Sequence, residues 1–346
     1  MKTYILSIFL ISSYFMAFAQ DTPFHALLSK RQPGVTDTVF KIVAKNNVTV
    51  EIPVTIIKGR LKGPTFTIIA GIHGMEYPPI LSLLELRREI DPTSLAGNII
   101  IIPIVNQTSF YTRTPFVNPL DGLNLNRSFP GNPAGTITEV MADFLTREVF
   151  SATDVLLDMH GGDVSEDLIP FICYYDNQEF KKQTALAARL SEISGFETVV
   201  SYPYVLPGDQ PAMYAFKQAV RQGITALSIE IGRLGNWKKE EVSFAKKSIF
   251  RMMAELKMYG SKSVENASAV KVRYHKQAYV SVPVQGIFIS ELTAGDHITK
   301  GTEVGYITDI FGKKLKIIYA PESGVILYKI GTPPVNEGET LLCIGF

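Results

Sequence analysis

Phe66-Thr67-Ile68-Ile69-Ala70-Gly71-Ile72-His73-Gly74-Met75-Glu76 is an apolar run that stops at two glycines framing a histidine, with a carboxylate three residues further on. The run predicts a buried strand that delivers a pair of metal ligands to the edge of a sheet. Gly71 and Gly74 allow the tight backbone such a turn needs, and a His-x-x-Glu pair brings an imidazole and a carboxylate close enough to share one ion. An isolated pair of this kind also arises by chance, so a third ligand has to come from elsewhere in the chain, with a position left open for water.

The chain has five histidines, and His160 repeats the local grammar of His73. Val155-Leu156-Leu157-Asp158-Met159 is an apolar strand that ends at His160 and is followed by Gly161 and Gly162. Two of the five histidines at the ends of buried strands, each before glycine, are hard to read as packing.

Upstream, Lys2, an apolar run from Tyr4 to Met16, and Ala17-Phe18-Ala19 before Gln20-Asp21 form the three-part pattern of a secretory signal peptide cleaved after Ala19. The run is too short and too early for a permanent membrane span. The expectation is an exported protein, periplasmic or secreted, with residues 1–19 removed. The rest of the 346 residues exceeds what one core usually serves, which predicts two domains. A formal net charge of +1 argues against nucleic acid or an anionic membrane as an obligatory partner. Cys173 and Cys343 are the only two cysteines and read as small buried residues of separate cores. Asn47-Val48-Thr49 and Asn266-Ala267-Ser268 match a glycosylation pattern.

Taken in order, residues 37–57 are rich in β-branched residues and predict a hairpin. Pro78-Pro79 suits the first turn of a helix continuing over Ile80 to Ile90, and Asn98 to Val105 reads as a strand ending at Asn106. A long loop is expected from Gln107 to Gly135, a length more often functional than idle. Thr136-Ile137-Thr138-Glu139 reads as a capping box opening a helix to about Phe150. The Val155 strand then precedes a strand from Leu168 to Tyr174, a helix from Gln178 to Ser194 and a strand from Glu197 to Tyr202. A helix from Ala212 to Arg221, a strand from Ile224 ending on Glu230 and a helix from Glu240 to Met258 complete the half. Strands buried on both sides and alternating with helices predict an α/β sheet covered on both faces. From residue 263 short strands separated by glycine and proline turns predict a smaller all-β domain after a hydrolase domain over 20–262. Pro283-Val284-x-Gly286, Ala294-Gly295-Asp296 and Ala320-Pro321-x-x-Gly324 resemble the biotinyl and lipoyl carrier fold. Lys313 falls near the modified lysine of such carriers, but Gly312 and Lys314 stand where methionines usually flank it, which points to an unmodified lysine.

Open α/β sheets bind ligands outside the carboxyl ends of their strands, and His73, Asn106, His160 and Glu230 all follow strands at that rim. His73, Glu76 and His160 make a candidate ligand set for one divalent ion, which lowers the pKa of a bound water and polarises a carbonyl. Glu230, closing the apolar strand Ala226-Leu227-Ser228-Ile229, is the candidate proton carrier, the alternative being a structural pair with a neighbour such as Arg233. In Leu125-Asn126-Arg127-Ser128-Phe129-Pro130-Gly131 an amide and a guanidinium stand side by side, suited to an acidic end of a small substrate. Arg113 is a candidate for the same task or for stabilising an oxyanion.

Gly71-x-His73-Gly74-x-Glu76, Leu125-Asn126-Arg127-x-Phe129-Pro130-Gly131, Asp158-x-His160-Gly161-Gly162 and Glu230-x-Gly232 together resemble the succinylglutamate desuccinylase/aspartoacylase family, relatives of zinc carboxypeptidases. The resemblance spans roughly residues 45–346. It implies a zinc-carboxypeptidase-like mixed sheet and one Zn2+ on His73, Glu76 and His160. Glu230 would then be general base and acid, with Asn126 and Arg127 gripping a substrate carboxylate. The implied reaction is hydrolysis of an amide in an N-acyl amino acid or similar small acid. Two other readings keep parts of this site: an exported zinc carboxypeptidase acting on peptides, and a non-catalytic binding protein for acidic ligands. The family's best-known members are intracellular, in contrast to the leader seen here.

Overall fold

The computed structural model describes residues 23–29, 32–260 and 268–346. The expected leader with its expected cleavage point, and Asn266, lie outside the described residues, among which no helix is long and apolar enough to cross a membrane.

Helix α1 (Pro23–Leu28) precedes the antiparallel hairpin of β1 (Gly34–Val43) and β2 (Thr49–Lys58), which pairs Gly34 with Lys58 and Val43 with Thr49. Then come β3 (Leu61–Ala70), α2 (Tyr77–Glu89), β4 (Ala96–Ile102), α3 (Gln107–Thr112), α4 (Ile137–Phe144), β5 (Val155–His160), β6 (Glu166–Leu168) and β7 (Phe171–Asp176). The half continues through α5 (Lys181–Ile193), β8 (Thr198–Pro203), α6 (Ala215–Arg221), β9 (Thr225–Glu230), α7 (Lys239–Glu255) and β10 (Val272–Tyr274). Nine of these strands form one mixed sheet in the order β1-β2-β4-β3-β5-β9-β7-β8-β10. At its centre β3, β5 and β9 run parallel, and β7 is antiparallel to β9.

Successive residues of a strand point to opposite faces, so a strand covered on both sides is apolar throughout. Phe66, Ile68 and Ala70 of β3 pack with Leu83 of α2 and Ile249 of α7. Ile69, Leu156 and Ala226 face the other way, into a core with Met141 of α4 and Ala219 of α6. Each of the larger side chains among them, withdrawn from water, contributes about 1.5–3 kcal/mol. The register of β5 on β9 pairs Leu156 with Ala226, Asp158 with Ser228 and His160 with Glu230. The chemistry at the strand ends therefore continues the face that α4 and α6 cover.

The remaining strands are β11 (Gln277–Ser281), β12 (Gly286–Ile289), β13 (His297–Ile298), β14 (Glu303–Thr308), β15 (Lys314–Tyr319), β16 (Gly324–Ile330), β17 (Pro334–Val335) and β18 (Thr340–Gly345). They form two sheets, β11-β18-β16-β13 and β15-β14-β12-β17, around a shared core that includes Phe288, Ile307, Ile326 and Leu341. Lys313 sits exposed in the β14–β15 turn, where Asp309 Oδ1 accepts from its backbone N–H at 2.9 Å.

Several local expectations are revised. The single strand expected over Leu168 to Tyr174 is broken at Pro170, which has no N–H to donate. Its first part, β6, leaves the large sheet and pairs with β16 of the β-rich region, Glu166 opposite Ile330 and Leu168 opposite Tyr328. The long loop begins with a helix, because Asn106 Oδ1 caps α3 by accepting from Ser109 N–H at 3.1 Å. That role removes Asn106 from the rim chemistry. The helix expected to reach Phe150 is regular only to Phe144 and continues as a π-turn over Leu145–Val149. Cys173 and Cys343 are both free and buried in one core, the one beneath the site, rather than in separate ones.

Candidate active site

The turn after β3 is shaped by its glycines. Gly71 adopts a φ of +67°, and a Cβ on Gly74 would lie 2.2 Å from the Ser109 carbonyl carbon at α3. This close approach directs His73 and Glu76 inward, where both are buried. His73 Nδ1 stands 2.6 Å from Glu76 Oε1, and His160 Nδ1, arriving from the end of β5, stands 3.0 Å from Glu76 Oε2. One ligand atom from each of the three residues lies within 4.8 Å of the other two, so the set can hold a metal ion.

The outer ring nitrogens settle how the imidazoles present themselves. His73 Nε2 is 3.1 Å from Asn124 Oδ1, and His160 Nε2 is 3.1 Å from Asp158 Oδ1. Acceptors at both Nε2 atoms suit ring protons there once an ion is bound, with both Nδ1 atoms then turned to the ion that the Glu76 carboxylate shares. Asp158 is wholly buried and has no aligned hydrogen bond of its own among the described residues. A buried, otherwise unserved carboxylate behind an imidazole is the arrangement by which a metal ligand is oriented and made more basic. The donor set and its supports thus fit a divalent ion bound through two imidazoles and one carboxylate.

Electrostatics agree. Burial opposes charge on Glu76, but His73 and His160 outweigh it and hold the carboxyl below its ordinary range. Burial likewise opposes charge on His160, yet Asp158 and Glu76 raise it well above the usual imidazole value. Glu230 closes β9 beside His160, and burial pushes its carboxyl well above the usual range, with His160 opposing and Glu76 and Glu166 adding. Arg233 does not neutralise Glu230; its Nε pairs with Asp167 Oδ1 at 3.0 Å instead.

These groups open on a cavity of about 460 Å3 whose wall includes His73, Glu76, His160, Glu230, Asn126 and Arg127. Asn126 Oδ1 accepts from the Ala215 N–H at the start of α6 at 3.0 Å, which turns its Nδ2 toward His160, 3.5 Å from Nε2. The Arg127 guanidinium lies over the Tyr214 ring, 4.5 Å from its centroid, and donates to Asn126 O at 2.8 Å. The structure therefore brings six of the seven candidate residues to one cavity. The seventh, Arg113, sits exposed at the left-handed residue ending α3 and is not part of the wall.

Other residues of the site carried little signal in the chain. Asp158 is marked by lying two positions before His160 on one strand face, within the Asp158-x-His160-Gly161-Gly162 pattern, and Asn124 only by standing two positions before Asn126. Glu166 and three residues of the β-rich region, Tyr279, Tyr328 and Thr340, also line the cavity. They are brought there by the pairing of β6 with β16, which no local pattern announces.

Comparison with known proteins adds a lineage. The profile of the "Succinylglutamate desuccinylase/Aspartoacylase catalytic domain" matches residues 62–256, more than half of the chain. An N-alpha-acetyl-L-2,4-diaminobutyric acid deacetylase of Halomonas elongata is 29% identical over 342 residues, 93% of this chain and 95% of that protein. Among solved structures, the product-bound ectoine utilization protein EutE (DoeB) of Ruegeria pomeroyi superposes with a TM-score of 0.79 at 24% identity, covering 91% of this chain and 96% of that one. A succinylglutamate desuccinylase/aspartoacylase of Rhodobacter sphaeroides gives a TM-score of 0.77 at 24% identity, over 90% and 95% of the two chains.

Proposed function

The chain belongs to the succinylglutamate desuccinylase/aspartoacylase family, and on that premise we propose that it is a zinc-dependent hydrolase cleaving the amide bond of an N-acyl amino acid. One observation carries the reading: His73 Nδ1 and His160 Nδ1 converge on the two oxygens of Glu76, with Glu230 at the adjacent strand end. The named deacetylase of Halomonas elongata, which aligns over nearly the whole chain, supports the same reaction class. A cavity of about 460 Å3 is the size of a small-molecule site, which suits an acyl amino acid.

Zinc held by His73, Glu76 and His160 would acidify a water and polarise the scissile carbonyl. The protein's own residues do the rest. Arg127, with its guanidinium fixed against Tyr214 and the Asn126 carbonyl, offers a fork to the substrate carboxylate. Asn126, pinned by the Ala215 N–H, presents its amide N–H beside it. Glu230, at the end of β9 beside His160, takes a proton from the attacking water and returns it to the departing amine nitrogen.

The test is metal analysis of the purified protein combined with a hydrolysis screen of N-acyl amino acids and short peptides, with and without chelator. Bound zinc and chelator-sensitive release of free amino acid are expected, and metal-independent or absent hydrolysis across the screen would overturn the reading. An exported enzyme is part of the same proposal, on the strength of the leader pattern alone; amino-terminal sequencing of secreted material is expected to begin at Gln20.

A further inference from the structure

The two margins of the nine-stranded sheet differ sharply. One ends on β10 (Val272–Tyr274), three residues long, a stub of the kind that keeps an edge from recruiting another strand. The other ends on β1, ten residues long and paired with β2 from Gly34 to Val43 without a bulge. β1 contains no proline, and six of its ten residues are β-branched. Among the described residues no strand pairs with its outer side, and its backbone makes no hydrogen bond outside the β1–β2 ladder. The N–H and C=O groups of alternate residues therefore point away from β2, ready for another strand.

The side chains say which strand fits. Val35, Val39 and Val43 share one face of β1 and are 40%, 53% and 49% exposed, a row interrupted only by Asp37 and Lys41. Asp37 is held by Arg87 of α2 and accepts from Thr55 Oγ1 at 2.7 Å. Lys41 has no ion pair among the described residues, although Glu51 stands opposite it on β2. Because outward backbone groups recur at every second residue, two copies of β1 can share an antiparallel ladder only when the two-fold axis passes through a residue. An axis through Thr38 or Phe40 sets both charges against valines. An axis through Val39 sets Asp37 against the partner's Lys41 and Lys41 against the partner's Asp37, with Val35 against the partner's Val43.

We propose that β1 is a dimerisation edge: a second copy of this chain adds its own β1 antiparallel, about a two-fold axis through Val39, and joins the two large sheets into one. Charge, apolar pattern and ladder bonds are all self-complementary in this one register, which selects a second copy over an unrelated strand. Opposite charges directly across an antiparallel pair stabilise it, and like charges there destabilise it. No residue of β1 lines the cavity, so the proposal stands or falls independently of the hydrolase reading.

The experiment is sedimentation velocity on the purified chain across the micromolar range, where the wild type is expected to be a dimer. Lys41→Glu and Asp37→Lys each place like charges at both cross-strand contacts and are expected to weaken self-association about tenfold or more. An equimolar mixture of the two variants restores opposite charges at both contacts and is expected to form a one-to-one heterodimer. Val39→Cys is expected to give a disulfide-linked dimer on mild oxidation, since residues directly opposite one another have Cα atoms about 4.5–5.5 Å apart. Lys41→Cys is expected to give none, because the two copies of that position lie about 13 Å apart along the strands. A wild type that is monomeric throughout the range overturns the proposal, and so does a dimer that both single charge variants leave intact. Cross-linking through Lys41→Cys but not Val39→Cys overturns the register and the proposal with it. If Asp37→Lys fails to fold for want of its Arg87 pair, as circular dichroism would show, Lys41→Glu and the two cysteine variants decide alone.

Discussion

Asp158 and His160 lie two residues apart on one face of β5, so the wholly buried Asp158 carboxylate stands behind the imidazole, 3.1 Å from Nε2. The pairing is a direct product of strand periodicity, and it fixes which nitrogen of His160 is offered to a metal. Asp158→Asn is expected to weaken zinc binding about 10- to 100-fold, the usual effect of losing such a support. Competition against a chromophoric chelator measures it; an unchanged affinity would remove Asp158 from the metal site.

Glu230 offers the contrasting case, since it neighbours the ligand set without belonging to it. Glu230→Gln is expected to retain stoichiometric zinc while kcat falls about 10²–10⁴-fold, the usual contribution of a positioned acid or base. Metal content and turnover measured on the same sample separate the two roles.

Zinc affinity itself is expected to depend on pH. Burial lowers the His160 pKa, but Asp158 and Glu76 more than offset it and raise the group well above its ordinary value. The protein without metal therefore holds a proton where zinc must bind, and each unit of pH decrease below that raised pKa costs about tenfold in apparent affinity. Titrations between about pH 6 and pH 8, with proton release followed in weakly buffered solution, check both sign and size. A flat profile would mean that His160 is already neutral.

Arg127 should act on binding more than on chemistry. Arg127→Ala is expected to reduce kcat/KM by about 30-fold or more, chiefly through KM. Arg127→Lys restores the charge without the planar fork and recovers only part of the loss. A fall confined to kcat would move Arg127 from substrate binding to the reacting atoms.

Gly74→Ala probes the turn that aims His73 and Glu76. The added Cβ would meet the Ser109 and Phe110 backbone at 2.2 and 2.3 Å, atoms that cannot swing away as a side-chain tip can. We expect a loss of about 1–3 kcal/mol in unfolding free energy, read from denaturant midpoints at constant slope.

Much of the sheet was legible because its strands are uniformly apolar and stop at glycine, and the same strand ends carry His73, His160 and Glu230. Where the chain misleads, the cause is non-local. Leu168 and Phe171 read as one apolar strand, yet Pro170 lets β6 leave for a partner more than 150 positions away, Ile330 opposite Glu166. Cys173 and Cys343 look like residents of two cores because nothing nearby in sequence reveals that β7 and β18 feed one core. Asn106, at a strand end like the others, is claimed by the helix that follows it; local capping chemistry outcompeted the rim position. Glu166 and the tyrosines of the cavity had no sequence signal, since their meaning depends on which strand passes opposite.

The exchange of strands between the two halves limits what recombination can do with this chain. β6 adds to the smaller sheet, while β10, late in the chain, runs beside β8 at the margin of the large one. A graft that moved residues from 263 onward into another hydrolase would strip one margin and leave β6 without its ladder. It would also carry off part of the wall that meets the substrate. Descent with the halves kept together is the arrangement this interlock favours, and new substrate preferences would arise by replacing wall residues in place rather than by trading modules.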